Sequence, residues 1–359
     1  MGSVKNLTVI VKPNSRQLGS GDFDFSDDFS VFDVGKMSDK IPGKGAALNM
    51  MATYNFRVLK EKSIDTHFEG IPVGENGKTK LVGIGDLTEP SNLMRVRLLQ
   101  VVKPTFSDGR YNYNEFSSGN LNNFVVPLEV IYRNGVPEGS SLLKKIKDLE
   151  EEGKTDELNL LLTRLGLKEV PKPGDLFPRP VYDFTTKFES SDRSLTYEEA
   201  LSISGLSESQ FKRLEGVRNY VVKVISSIAS KAGFIDYDGK FEFGFYDGKI
   251  MLVDVLGTFD ENRFMFNGEQ VSKEFLRQWY KKNQPEWYEA CLAAKSKART
   301  EGIEDWKTLV KIKPERLPER LVELVGEMYQ AGADRYTGRN LFKRRPLEEV
   351  MSDLGEYRN

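Results

Sequence analysis

Glu242 and Asp254 are the two side chains of this chain best placed to act together on a ligand. They lie on the two limbs of a stretch, Asp238 to Arg263, in which apolar and polar residues alternate on either side of Asp247-Gly248. Successive strand side chains point to opposite faces, so Lys240 and Glu242 share one face while Phe241, Phe243 and Phe245 share the other. Asp247-Gly248 signals a hairpin turn. Loop length decides which faces coincide. An odd loop gathers Phe241, Phe243, Phe245, Met251, Val253 and Val255 on one face and Lys240, Glu242 and Asp254 on the other. An even loop would mix Asp254 into the phenylalanines, so an odd loop is expected. Two acids on neighbouring strands can share one hard cation through oxygen ligands, leaving waters and a nucleotide phosphate to complete its shell. That suits magnesium–nucleotide chemistry; an amphipathic hairpin with a solvated charged face satisfies the same pattern.

Composition narrows the classes. The chain has 359 residues, and 52 Lys and Arg nearly balance 54 Asp and Glu for a formal charge of -2. That balance argues against a dedicated nucleic-acid or anionic-membrane binder. One cysteine, Cys291, permits no intramolecular disulfide, so a reducing cytoplasm is the expected compartment. No apolar run approaches membrane-spanning length, and no signal-peptide pattern opens the chain. His67 is the only histidine and is expected in a loop or at the surface; Cys and His clusters for zinc are excluded by count. No Walker A loop is present, because Gly43-Lys44 is followed by Gly45 and Gly35-Lys36 by Met37. Gly19-Ser20-Gly21 lacks the third glycine of a dinucleotide fingerprint, and Asp236-x-Asp238-Gly239 fails the calcium-loop spacing.

Several elements must hold the central stretch. Residues 4–12 have a strand pattern, and Ile41-Pro42-Gly43-Lys44-Gly45 leads into a helix over 46–60. The amides at that helix start could meet an anion, or merely begin the helix. Strands are expected over 80–87 and 93–103, then a polar surface loop over 105–123 that serves as a boundary. Phe124 to Arg133 reads as a buried strand whose Pro127 leaves a ladder bond unmade, with room for a ligand edge. Residues 142–165 form a charged helical hairpin broken at Gly153, within an inserted excursion over 142–179. Thr196-x-x-Glu199 and Ser207-x-x-Gln210 are capping boxes, the second opening a long core helix that closes at Gly233. Helices over 272–297 and 319–332 follow.

Six stretches in order are similar to segments of the SAICAR synthetase family. Asp238-Gly-Lys-Phe-Glu-Phe-Gly244 with the Asp254 strand and Phe259-Asp260-Glu261-Asn262-Arg263-Phe264 resembles its central hairpin. Ser30-Val31-Phe32-Asp33, Ile41 to Gly45, Val126 to Arg133, Thr185 to Glu189 and Ser272 to Arg277 resemble other family segments. The resemblance covers most of the chain and points to an archaeal-looking branch. It implies a two-lobed α+β fold, ATP-grasp-like, with antiparallel sheets flanked by helices and ATP in the interlobe cleft. The lobes would be 1–122, mainly β, and 123–359, carrying the excursion and a C-terminal helical extension.

The implied reaction joins L-aspartate to carboxyaminoimidazole ribonucleotide, with ATP and Mg2+. The substrates are small molecules, no nucleic acid or membrane is involved, and a homodimer is what the family suggests. Carried over by position, Glu242 and Asp254 would be the metal-linked acids and Lys187 would contact ATP phosphates. Val125 to Glu129 would form the adenine-side strand. Lys240, Asp260 and Arg263 are the implied catalytic set. Asp33, Lys44, Gly45, Arg133, Asp238 and Arg277 would face substrate, with Ser140 or Ser141 near its phosphate. The usual N-terminal Gly-Lys-x-Arg phosphate loop is not recognisable, and Val255 stands where a second acid is usual. Another ATP-dependent ligase or kinase on this scaffold, or a nucleotide-binding homologue without turnover, is the competing reading.

Overall fold

In the computed structural model of the chain, the described residues are 4–75, 78–107, 110–303 and 305–358. A five-stranded antiparallel sheet is built from β1 (Lys5–Val11), β2 (Gly19–Phe25), β3 (Phe68–Glu75), β4 (Lys78–Val82) and β5 (Leu93–Leu98), in the order β1-β2-β5-β3-β4. Helix α1 (Lys44–Glu61) packs on it through Ala47, Leu48, Met51 and Phe56. The expected strand over 80–87 is shorter, because a 3-10 turn at Ile84–Asp86 follows β4. The expected loop over 105–123 carries a small hairpin, β6 (Thr105–Ser107) with β7 (Arg110–Asn112), and a one-turn helix, α2 (Asn114–Ser117).

The second sheet contains β8 (Asn123–Gly135), β9 (Leu176–Thr186), β10 (Ser194–Leu195), β11 (Phe234–Tyr246), β12 (Lys249–Val253), β13 (Asn262–Phe266) and β14 (Glu269–Gln270). Its order is β10-β9-β8-β11-β13-β14, with β12 also on β11. Strand β8 takes one edge of β11; β12 and β13 therefore lie end to end along the other, on its C-terminal and N-terminal halves. The segment joining them, 254–261, emerges beside the middle of β11, where the Lys240 amide donates to the Glu261 carbonyl at 3.3 Å.

Between β8 and β9 stands the helical hairpin α3 (Ser141–Glu151) and α4 (Thr155–Leu165), with Gly153 and Gly166 both left-handed as expected of helix ends. After β10 come α5 (Tyr197–Ile203) and α6 (Glu208–Lys231), each opened by the capping box legible in the sequence. Helix α6 buries Phe211, Leu214, Val221 and Ile225 in the main core, with Phe241 and Phe243 from β11. The expected helix over 272–297 is two, α7 (Glu274–Asn283) and α8 (Pro285–Glu301), because Pro285 cannot continue the first. Helices α9 (Glu319–Thr337) and α10 (Leu347–Leu354) end the chain, and α9 lies against α1. Among the described residues no helix is long and apolar enough to cross a membrane.

Candidate active site

Strands β8, β9, β11 and β13 carry charges on one face. Glu129 pairs with Glu242, Ile131 with Lys240, and Arg133 and Arg263 both with Asp238. The opposite face turns into the core, with Val130, Phe241 and Phe243 and a buried polar cluster of Tyr132, Asp236 and Asn262. A cleft of about 500 Å³ opens over the charged face, and among its lining residues are Asp33, Glu129, Arg133, Asp238, Lys240, Asp260, Arg263 and Arg277. Residues far apart in sequence are thus gathered at one concavity by the sheet register.

The two acids do converge, but not by the expected route. Glu242 pairs with Val253 and Tyr246 with Lys249, so the turn is the two residues Asp247-Gly248 and the loop is even. Both turn residues take positive φ, 47° and 76°, as that turn demands. Phe243 and Phe245 therefore face Leu252 and Ile250, and Glu242 shares its side with Val253. Strand alternation would have sent Asp254 to the phenylalanine face. Instead β12 stops at Val253 and Asp254 adopts a left-handed backbone, φ 65°, which turns the chain out of the sheet.

That turn is held from several sides. His67 Nε2 lies 3.0 Å from the Asp254 carbonyl oxygen, and the His67 amide donates to the Leu252 carbonyl at 2.9 Å. His67 lies in the connection before β3, as one of its two expected placements had it, but is buried and not at the surface, and burial pushes its pKa down to about 4. Asn55 of α1 donates to the carbonyls of Leu256 (3.0 Å) and Gly257 (3.1 Å), and is itself held by the Tyr336 hydroxyl of α9 at 3.0 Å.

Two ammonium groups meet the acids. Lys187, just beyond β9, places Nζ 2.5 Å from Glu242 Oε1, and Lys5 of β1 pairs with Asp254. Burial and then the nearby Asp254 push Glu242 up to about 7. Asp254 falls to about 2: burial opposes ionisation, but Lys5 and Lys187 overcome it. Two acids that need a shared positive charge, both with oxygen donors, fit a magnesium ion that keeps most of its shell as water and phosphate. Lys5 was missed in the sequence, since only the β1–β2 pairing and the Asp254 turn bring it there.

Lys240 bridges Glu129 (2.8 Å) and Glu261 (3.7 Å); burial would depress it, yet these acids raise it above the usual lysine range. Asp260 is buried, accepting from Lys44 Nζ at 2.6 Å and from the Tyr329 hydroxyl of α9 at 2.8 Å. Its pKa is lowered, because Lys44 and Lys273 outweigh burial. Lys44 is itself fully buried, so the expectation that it faces substrate is corrected: it faces Asp260. Gly45 is also corrected. Its amide, like that of Gly43, donates to the Asp27 carboxylate at 3.0 Å, so the anion at this helix start belongs to the protein. A Cβ at Gly45 would lie 2.3 Å from the Phe25 carbonyl oxygen.

Ser140 caps α3, its Oγ accepting from the Leu142 amide at 3.3 Å; the Ser141 side chain lies outside the described residues. Arg277 pairs with Glu274 at 3.2 Å, and Asp33 with Lys295 of α8 at 2.7 Å. The Val125 amide is engaged by the Gln100 carbonyl at 3.0 Å. Lys273, Asp192 and Glu261 also line the cleft and were not singled out in the sequence. Lys273 lies in the Ser272–Arg277 segment, so position in that motif was the signal.

The two antiparallel sheets and the charged cleft define a two-lobed α+β architecture of the ATP-grasp-like class. Residues 19–293 match the family model described as SAICAR synthetase. A relative from Archaeoglobus fulgidus, provisionally named phosphoribosylaminoimidazole-succinocarboxamide synthase, is 41% identical over 99% of this chain and 99% of its own. SAICAR-synthase from Saccharomyces cerevisiae, solved complexed with SAICAR, superposes with a TM-score of 0.57 at 23% identity, covering 92% of this chain and 95% of that one. A SAICAR synthetase solved in complex with ADP gives 0.52 at 23% identity, covering 88% and 99%. The chain belongs to the SAICAR synthetase family.

Proposed function

We propose that the chain joins the amine of L-aspartate to the carboxylate of carboxyaminoimidazole ribonucleotide in purine biosynthesis, converting ATP to ADP and phosphate. The observation that carries the site assignment is the meeting of Glu242, Asp254, Lys187 and Lys5 on the charged face that also bears Arg133, Asp238 and Arg263. A carboxylate resists attack by an amine until one oxygen becomes a leaving group. Transfer of the γ-phosphoryl to that oxygen releases ADP, and attack by the aspartate amine on the acyl carbon then releases phosphate.

In this reading Lys187 and Lys5 contact the ATP phosphates, which supplies the cations that the unrecognised N-terminal loop left missing. Glu242 and Asp254 would hold Mg2+, which when bound neutralises charge on the transferring phosphoryl. Val125 to Glu129 line the adenine side, where Gln100 Oε1 and Thr185 Oγ1 are buried without a hydrogen-bond partner and suit a base edge. Arg133, Arg263 and Arg277 take the anionic groups of the nucleotide and aspartate, for which a guanidinium fork is shaped. Asp238 orients Arg263, whose Nε donates to Asp238 Oδ1 at 2.9 Å. Lys240 sits at the reacting carboxylate, Asp260 is fixed beside it, and Lys44 positions Asp260. Ser140, the N-cap of α3, would lie toward the nucleotide's phosphate, and Asp33 at the cleft mouth. The lobes meet near residue 122, and α9 supports the first lobe through α1 and the site through Tyr329.

The test supplies ATP, magnesium, L-aspartate and carboxyaminoimidazole ribonucleotide to the full chain and follows ADP and the succinocarboxamide product. ADP release should require both co-substrates; release without either would refute the assignment.

A further inference from the structure

Beyond its N-cap Ser140, the α3–α4 hairpin has no part in the chemistry above. It packs on a small core of its own, which includes Leu142, Ile146, Leu165 and Phe177. It reaches the charged face of the sheet through Arg164 of α4, which pairs with Asp183 of β9 and donates to the Tyr182 carbonyl at 3.1 Å. Asp183 Oδ2 is in turn 3.4 Å from Arg133 Nε on β8, and Arg133 Nη1 is 3.8 Å from Asp238 Oδ2 on β11. Asp238 is gripped by Arg263 on β13 through both carboxylate oxygens. Charges of alternating sign therefore run from the hairpin across four adjacent strands.

The spacing is uneven, and that decides what the row does. The outer arginines, Arg164 and Arg263, hold the two acids closely, while the central Arg133 makes one long hydrogen bond, Nε to Asp183 at 3.4 Å, and lies 3.8 Å from Asp238. Three guanidinium groups against two carboxylates leave one net positive charge, and the long contacts leave it on Arg133, which lines the cleft. Without Arg164, Asp183 would face Arg133 alone. A lone carboxylate beside a guanidinium closes into a paired fork, which would take two of the five Arg133 N–H donors and cancel the charge that an incoming anion needs.

We propose that Arg164 and Asp183 are positioning residues, and that Arg164, by occupying Asp183, keeps Arg133 open for the anionic group of the nucleotide substrate. This rests on the reading of Arg133 as a substrate contact. The inserted hairpin thereby acquires a function: it sets affinity for the nucleotide from outside the cleft.

The test measures KM for carboxyaminoimidazole ribonucleotide, with ATP and aspartate saturating, in full chains carrying Arg164→Gln, Asp183→Asn, both together, and Arg133→Gln. Arg164→Gln should raise that KM roughly threefold to tenfold, as expected for coupled neighbours, with kcat, the KM for ATP and the melting temperature unchanged. Adding Asp183→Asn should return the KM toward the starting value, because the competing carboxylate is gone. A hairpin that only supports the fold predicts no such rescue. An unchanged KM in Arg164→Gln, or no rescue in the double variant, overturns the inference while leaving the reading of Arg133 intact. An unchanged KM in Arg133→Gln refutes that reading itself.

Discussion

Lys187 Nζ lies 2.5 Å from Glu242 Oε1, so an ammonium from the end of β9 stands where a buried carboxylate of β11 turns toward Asp254. Burial depresses a lysine, yet Glu242 and Asp254 together raise this one. A pair of acids that recruits lysines for its charge is suited to exchange them for a metal and a phosphate.

Asp254→Asn should therefore lower magnesium-dependent ADP release on the order of a hundredfold or more, the scale on which loss of an electrostatic contact to a transition state is felt. Asn accepts the left-handed backbone that Asp254 uses, so the fold should persist. Steady-state turnover beside a circular-dichroism melt checks both. Wild-type activity would remove Asp254 from the site.

Lys44→Met should destabilise the protein by about 3–5 kcal/mol, because it takes from the buried Asp260 the one ammonium in direct contact with it, leaving the Tyr329 hydroxyl and the charge of Lys273. The double variant Lys44→Met/Asp260→Asn should recover part of that loss, since no unpaired charge is left. Denaturant unfolding of both variants decides. A cost below ~1 kcal/mol for the single change, the range of an exposed pair, would contradict the buried-pair description.

The sole histidine offers a clean titration. His67 should remain neutral down to about pH 4, and its proton resonances should show that midpoint. Between an unfolded pKa of about 6.5 and the folded value, the unfolded chain binds the extra proton. His67 thus contributes a loss of stability as pH falls from about 6.5 to about 4, and nothing above that window. Asp236, pushed up to about 7 by burial despite bonds from Tyr132, Asn262 and Ser226, acts in the opposite sense. Its cost is complete above pH 7 and is relieved on acidification toward 4, so Asp236→Asn should steepen the net acid loss. A histidine midpoint near 6.5 would contradict the buried placement.

Gly45→Ala should cost stability without selectively raising any KM. The added methyl meets the Phe25 carbonyl oxygen at 2.3 Å, a backbone atom that cannot swing aside. A stable variant with weakened substrate binding would restore Gly45 to the substrate site.

Local signals were the legible ones. The boxes Thr196–Glu199 and Ser207–Gln210 opened their helices, and Gly153, Gly166 and Gly233 took the left-handed ends their positions suggested. The alternation of β11 placed Lys240 and Glu242 together on a charged face, as read. The turn departs from the apolar pattern because Asp247-Gly248 favours a two-residue loop, and that local preference prevails. Asp254 could not be placed by parity at all, since it lies one residue beyond β12 with φ 65°. Lys5 and His67 reach Asp254 only through sheet pairing, and Asp27 fills the Gly43 and Gly45 amides across a turn. Such contacts are set by tertiary packing and leave no spacing in the chain to read.

A crystal of the protein grown with ADP and manganese, a scatterer that can stand in for magnesium, gives the most direct measurement. The anomalous peak is predicted between the carboxylates of Glu242 and Asp254, with Lys187 and Lys5 turned to the phosphates. A peak bound away from these two acids, with Lys187 still on Glu242 and Lys5 on Asp254, would contradict their assignment.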